Sequence, residues 1–144
     1  MLNQLWRARP ANHFRSKTVA GFLACFFGVV GLQGWYLKRP IAPFVTGFSL
    51  VMLGLSFTQP VWWDSVPFFF LFIPLWSGFI ESAVYCLISD EKFDALYNTS
   101  QVRRRPSGVP PGLMAVLNLL VAGIVTMFTL SMVVAHVACL HWAC

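Results

Sequence analysis

The chain has 144 residues, of which 58% are hydrophobic and only 10% are charged. Soluble domains carry about a quarter charged residues, so most of this protein's surface must face lipid or a partner rather than water. The net charge is +5, but the lysines and arginines lie at the ends of apolar runs, which favours anionic lipid head groups over nucleic acid as partners.

Residues 1–17 form a basic flank. They contain Arg7, Arg9, Arg15 and Lys17 and no acidic residue. Basic flanks usually accompany membrane spans, and we interpret this segment in that way. An organelle transit peptide is the alternative, because it is also basic and poor in acids.

Residues 18–37 are predicted to be the first membrane span, a helix of about 30 Å. Small residues that would let another helix approach closely recur along it, namely Ala20, Ala24, Gly28, Gly31 and Gly34. Trp35 and Tyr36 then mark a membrane interface.

Residues 41–58 are a second apolar run, at the lower length limit for a span. Trp62 and Trp63 follow it as another pair of interfacial aromatic residues.

The third run, residues 67–88, is almost wholly apolar but contains Glu81. A charge at the centre of a membrane costs roughly 3 kcal/mol, so the acid should face protein. Polar and small residues share its helical face: Ser77, Gly78, Glu81, Ser82 and Tyr85. Pro74 is expected to kink this helix. We expect Glu81 to face Asn118, with Ser82 nearby and Lys17 able to reach down towards the acid.

Residues 89–112 are the main polar segment, predicted to be a basic cytoplasmic connector. Ser89 or Asp90 can cap a short helix, whose apolar face could lie on the membrane through Phe93, Leu96 and Tyr97. A basic interfacial group follows, made up of Arg103, Arg104 and Arg105. Residues 113–144 are predicted to be a C-terminal transmembrane helix, with Asn118 buried near its start.

The distribution of basic residues predicts a topology. If all four runs cross, the two sides hold 4 and 6 basic residues; if 41–58 dips in and returns, they hold 8 and 2. The positive-inside rule favours the second arrangement. It places the N-terminal flank and the connector in the cytoplasm, and it places four aromatic residues together at the other face: Trp35, Tyr36, Trp62 and Trp63.

Residues 16 to about 98, which include the membrane domain predicted over 18–88, resemble the two-transmembrane (TM-two) domain family. The resemblance lies in Ser16-Lys17-Thr18, in the sequence FGVVGLQGWYL over residues 27–37, and in the acid Glu81 of the third run. The family's His-Arg pair is replaced here by Gln33 and Gly34. The resemblance, closest to proteobacterial inner-membrane members, implies an integral membrane protein of poorly defined function that is not a catalyst.

The C-terminus contains potential metal ligands in the pattern H-x-x-C-x-H-x-x-C, formed by His136, Cys139, His141 and Cys144. These four cannot all converge on one continuous helix, so we interpret them as an interfacial helix end and predict no metal or cofactor. The sequence has no nucleophile–base pair, phosphate-binding glycine loop or paired carboxylate motif, and we predict that the protein is not an enzyme.

Together these observations predict an all-α, integral membrane helical bundle with three to four transmembrane helices. The expected function is that of a small non-catalytic accessory component of a membrane assembly, which associates with lipids and with itself or a larger complex, and not with nucleic acid. Ion- or proton-coupled transport, or small-molecule permeation, centred on Glu81 is the alternative. The expected location is a bacterial inner membrane, or otherwise an organelle inner membrane.

Overall fold

The computed structural model describes residues 14–99 and 110–142, with side chains up to Cys139. Every regular element in these ranges is helical, which confirms the all-α prediction. The helices are α1 (Lys17–Phe27), α2 (Leu32–Tyr36), α3 (Ala42–Phe57), α4 (Val66–Phe70), α5 (Phe72–Leu87), α6 (Asp90–Tyr97) and α7 (Pro110–Trp142), with a 3₁₀ turn at Trp62–Asp64 between α3 and α4.

Two segments are long and apolar enough to cross a membrane. The first is α4 together with α5, over Val66–Leu87, and the second is α7, over Pro110–Cys139. Their most apolar 18-residue windows have mean hydropathies of 1.6 and 2.3. The break between α4 and α5 falls at Leu71, three residues before Pro74. Proline crowds the preceding turn and lacks an N–H, so an interruption here agrees with the expected kink. Helices α1 and α3 are apolar but shorter.

The prediction of one continuous helix over 18–37 is wrong. Helix α1 ends at Phe27, and Gly31 has a φ of 75°, in the left-handed region that glycine adopts without steric cost. Helix α2 then runs back towards the start of α1. The Tyr36 hydroxyl near its end accepts a hydrogen bond of 2.9 Å from the Ser16 N–H, directly before α1. The first apolar run is therefore a helical hairpin that begins and ends at the same end of the bundle.

The second run does not dip and return as predicted. Helix α3 begins with Ala42 packed against Gly34, and near its end the Ser56 hydroxyl bonds the Trp62 carbonyl and contacts the Ser65 hydroxyl. From Ser65, 22 residues of α4 and α5, about 33 Å of helix, are needed to return to the start of α1. Helix α3 thus runs from the end of the bundle where the hairpin begins and ends to the opposite end.

The bundle has two distinct ends. We call one the basic end, because it carries all five Lys and Arg residues of the described ranges: Arg15, Lys17, Lys38, Arg39 and Lys92. We call the other the distal end; it contains the segment 62–65 and His136, whose Nδ1 lies 2.8 Å from Asp64 Oδ1. Trp35 and Tyr36 lie towards the basic end, whereas Trp62 and Trp63 lie at the distal end. The prediction that these four aromatic residues share one face is therefore wrong.

Helices α1 and α5 pack closely through small residues, and Ala24, Gly28 and Gly78, which were predicted as packing residues, lie at this contact. Ala24 is fully buried, and a Cβ built on Gly78 would lie 2.6 Å from the Gly28 Cα. The Ser82 hydroxyl donates a 2.8 Å hydrogen bond to the Gly21 carbonyl. Gly31 and Gly34 do not extend this stripe, since the former forms the turn and the latter contacts Ala42.

Helices α6 and α7 complete the basic end. Ser89 caps α6 by accepting a hydrogen bond from the Lys92 N–H, as expected. Phe93 and Tyr97 are buried in the bundle and only Leu96 is exposed, so the face predicted to lie on the membrane mostly packs inward instead. Helix α7 packs against α1 and α5 through Met114 and Ala115.

Candidate functional site

A buried ion pair lies near the basic end, between Arg39 and Glu81. Arg39 Nη1 donates to Glu81 Oε1 at 2.9 Å, and the two side chains are 4% and 19% exposed. Arg39 is held in place because its backbone N–H bonds the Gly34 carbonyl at 2.8 Å, directly after Lys38 adopts a φ of 52°. The turn between α2 and α3 thus delivers a cation to the acid on α5.

Two tyrosines complete this cluster. Tyr85, one turn after Glu81 on α5, donates a 2.6 Å hydrogen bond to Glu81 Oε2, and Arg39 Nη2 donates to the Tyr97 hydroxyl. The guanidinium carbon lies 5.5 Å from the centroid of each tyrosine ring, within the range of cation–π attraction. We refer to Arg39, Glu81, Tyr85 and Tyr97 as the polar cluster.

The polar cluster is close to electrically neutral. Both carboxylate oxygens of Glu81 accept hydrogen bonds, and the guanidinium supplies the opposite charge at contact distance. Breaking a buried pair by removing one partner costs about 3–5 kcal/mol, because the remaining charge is left uncompensated. The cluster can therefore lock the α2–α3 turn to α5 and α6.

The expected contact between Glu81 and Asn118 is wrong. Asn118 instead donates from Nδ2 to the Phe79 carbonyl at 3.0 Å, while Ser82 bonds to α1 as described above. Lys17 does not reach the acid; its Nζ lies 2.7 Å from Asp90 Oδ1 and 3.1 Å from the Ile88 carbonyl.

Arg39 was not identified as a site residue from the sequence, because a continuous first span would have carried it to the opposite side of the membrane from Lys17. The signal that could have revealed it is the combination of three glycines and a glutamine within 28–34 of the first run. Such a composition is typical of a helix break rather than of an uninterrupted span.

Two cavities adjoin Glu81. One, of about 330 Å³, lies between α2, α3 and α5, and we call it the Gln33 groove. Its lining consists of Gly28, Gln33, Phe44, Val45, Phe48, Ile73, Pro74, Ser77 and Glu81. The other, of about 370 Å³, lies on the α6 side of the cluster and is almost wholly apolar apart from Arg39, Glu81 and the tyrosines. Of the polar and small residues predicted on one face of α5, Ser77 lies at a cavity wall with Glu81, whereas Gly78 and Ser82 face α1.

The described part of the C-terminal metal pattern does not form a metal site. Within the described residues, no group of three or more His, Cys, Asp or Glu could hold an ion. His136 contacts Asp64, and Cys139 is disulfide-bonded. The side chains of His141 and Cys144, and the predicted interfacial Arg103, Arg104 and Arg105, lie outside the described residues.

No protein-family model, curated protein or solved structure matches this chain. The resemblance to the TM-two family therefore stays a prediction, and the interpretation of the polar cluster rests on its geometry.

Proposed function

We propose that this chain is a small non-catalytic integral membrane protein that acts as an accessory component of a membrane assembly. The observation that carries the proposal is the uncovered surface of α7. The most apolar 18-residue window of α7 has a mean hydropathy of 2.3, yet only 22% of that window is buried within the described structure. Such a helix needs lipid or the helices of another protein around it.

Helix α3 supports an accessory role. Its only buried residues are Ala42, Ser49 and Ser56, which face its own chain. Gly47 and Gly54, two turns apart, have open space where a Cβ would lie. Small residues on a free helix face permit close approach by a second helix, which is how helices associate within lipid.

The polar cluster supports a structural role for the buried charges. Glu81 is neutralised by Arg39 and hydrogen-bonded by Tyr85, so its charge is already used to hold three elements together. An acid arranged in this way stabilises a bundle without any chemical step.

The charges support a membrane orientation. All five described basic residues lie at the basic end, which by the positive-inside rule faces the cytoplasm. Disulfide-bonded Cys139 lies towards the distal end, and disulfides persist in oxidising compartments such as the bacterial periplasm. We therefore infer a bacterial inner membrane, with the flank 1–17 and the connector 89–112 in the cytoplasm. An organelle inner membrane is the alternative.

Affinity purification of the tagged chain from native membranes in a mild detergent tests the proposal. We expect a membrane protein, or a second copy of this chain, to co-purify in a fixed ratio. Gly47→Leu together with Gly54→Leu should reduce that ratio at least severalfold without unfolding the chain, because both positions are open. Recovery of the wild-type chain alone, as a monomer, would contradict the proposal.

Ion- or proton-coupled transport is a second candidate, favoured by the position of Glu81 in the lining of both cavities. Glu81→Gln in proteoliposomes distinguishes the two. The transport hypothesis predicts that a measured proton or cation flux disappears in this variant, whereas the accessory proposal predicts no flux in either protein.

A further inference from the structure

The Gln33 groove contains a buried polar atom without a partner. Gln33 is 6% exposed, and its Oε1 accepts no hydrogen bond from any described residue. A buried carbonyl oxygen left unpaired carries a desolvation cost larger than the net stabilisation that one ordinary hydrogen bond contributes. An occupant that donates a hydrogen bond would remove this cost.

The groove is shaped for an apolar molecule. Its walls are mainly Phe44, Val45, Phe48, Ile73 and Pro74. Phe44 and Ile73 are 74% and 60% exposed, so they form a rim through which the groove opens sideways between α3 and α5. In the proposed membrane orientation this opening faces the hydrocarbon, and its volume of about 330 Å³ lies at the lower end of the range for small-molecule sites.

The polar wall specifies the head group. Gln33 Oε1 and the Glu81 carboxylate are both acceptors, and a carboxylate has about four acceptor positions, of which the polar cluster uses two. Because Arg39 already balances the charge of Glu81, a cationic head group would leave the site with excess positive charge. A neutral hydroxyl meets these requirements.

We propose that the Gln33 groove binds a neutral membrane amphiphile, in which a long apolar chain lies against Phe44 and Phe48 and a hydroxyl donates to Gln33 Oε1. Neutral amphiphiles with one long apolar chain and a free hydroxyl, such as monoacylglycerols and long-chain primary alcohols, share this chemistry. The site is independent of whether the protein joins a larger assembly.

Photolabelling of the purified full chain in lipid nanodiscs tests the proposal. The probe is a long-chain primary alcohol with a diazirine on its chain, and labelled residues are located by peptide mass spectrometry. We expect labelling concentrated in 44–48 and 73–77, and displaced by unlabelled alcohol. The methyl ether of the same alcohol, which cannot donate, should compete about tenfold less well, the factor that one hydrogen bond contributes.

The matched variants are Gln33→Leu and Gln59→Leu, since Gln59 is exposed near the distal end. Gln33→Leu should reduce labelling about tenfold and Gln59→Leu should not change it. The competition by the ether on the wild-type chain keeps the test decisive if Gln33→Leu fails to fold. Absent or uniform labelling, equal competition by the ether, or stronger competition by the corresponding long-chain amine would each overturn the proposal.

Discussion

At the scale of single residues, the decisive contact is the one between Arg39 and Glu81. An arginine fits this position better than a lysine would, because its planar guanidinium can bond the carboxylate and the Tyr97 hydroxyl at the same time. The arginine side chain is 4% exposed and lies 5.5 Å from the centroids of both tyrosine rings, so the pair interacts in a weakly screening environment.

Removing the cation should destabilise the bundle. We expect Arg39→Met to lower the free energy of unfolding by about 3 kcal/mol, because Glu81 is left with only the Tyr85 hydroxyl. Unfolding in mixed micelles, followed by tryptophan fluorescence, measures this. The neighbouring exposed Lys38 provides the control, and Lys38→Met should change stability by less than about 0.5 kcal/mol.

A double-mutant cycle separates the pair from its surroundings. Glu81→Leu alone should also destabilise, whereas the double variant should lose little more than either single one, since no unpaired charge remains. Strictly additive losses would show that the two side chains act independently and that the polar cluster is not a unit.

Asn98 ties the segment before α1 to the end of α6. Its side chain accepts from the Arg15 N–H at 2.8 Å and donates to the Arg15 carbonyl at 2.9 Å, at a site that is 4% exposed. Asn98→Ala removes both hydrogen bonds, and we expect a loss of about 2 kcal/mol. Limited proteolysis should then cut more readily near Arg15. Asn98→Asp retains the acceptor but places a second oxygen against the Arg15 carbonyl and Asp94 Oδ1, so it should also destabilise this contact. Equal protease resistance of all three proteins would contradict the prediction.

At the scale of helices, the closest contact is between α1 and α5. A Cβ at Gly78 would lie 2.6 Å from both the Ala24 carbonyl oxygen and the Gly28 Cα, which are backbone atoms that cannot move independently. Gly78→Ala must therefore push the helices apart, and we expect a loss of about 1–3 kcal/mol, measured by the same unfolding assay.

Gly123 on α7 is the matched control, because nothing lies within 4 Å of its Cβ position. Gly123→Ala should be neutral or should stabilise the helix by up to about 1 kcal/mol, the difference in helix propensity. A Gly78→Ala variant as stable as Gly123→Ala would mean that α1 and α5 are not in close contact.

Some features of the helices can be predicted from the sequence and others cannot. The cap of α6 at Ser89 and the packing of Ala24 and Gly28 follow from local chemistry and were predicted. The break at Gly31 was not, because glycine is common in membrane helices and adopts helical and left-handed φ angles with similar ease. The same break determines the partner of Glu81, so the polar cluster could not be predicted until the path of the first run was known.

At the scale of the whole molecule, the hairpin of α1 and α2 changes the charge distribution. With 18–37 folded back, Lys38 and Arg39 join Arg15, Lys17 and Lys92 at the basic end, and the distal end of the described ranges has no Lys or Arg. This asymmetry is stronger than the one that the dipping second run would have produced. It also explains how a run long enough to span can instead supply the cation for Glu81.

Lys38 provides the sharpest test of this topology. A continuous first span followed by a dipping second run places residue 38 on the opposite side of the membrane from Ser89, whereas the hairpin places both on one side, which in the proposed orientation is cytoplasmic. In a chain whose native cysteines are replaced by alanine, we expect Lys38→Cys and Ser89→Cys to react with a membrane-impermeant maleimide only in inside-out vesicles. Gln59→Cys, near the distal end, should react only in right-side-out spheroplasts.

Because all three positions are exposed, differences in labelling report sidedness rather than burial. Labelling of Lys38→Cys together with Gln59→Cys would restore the continuous span and separate Arg39 from Glu81.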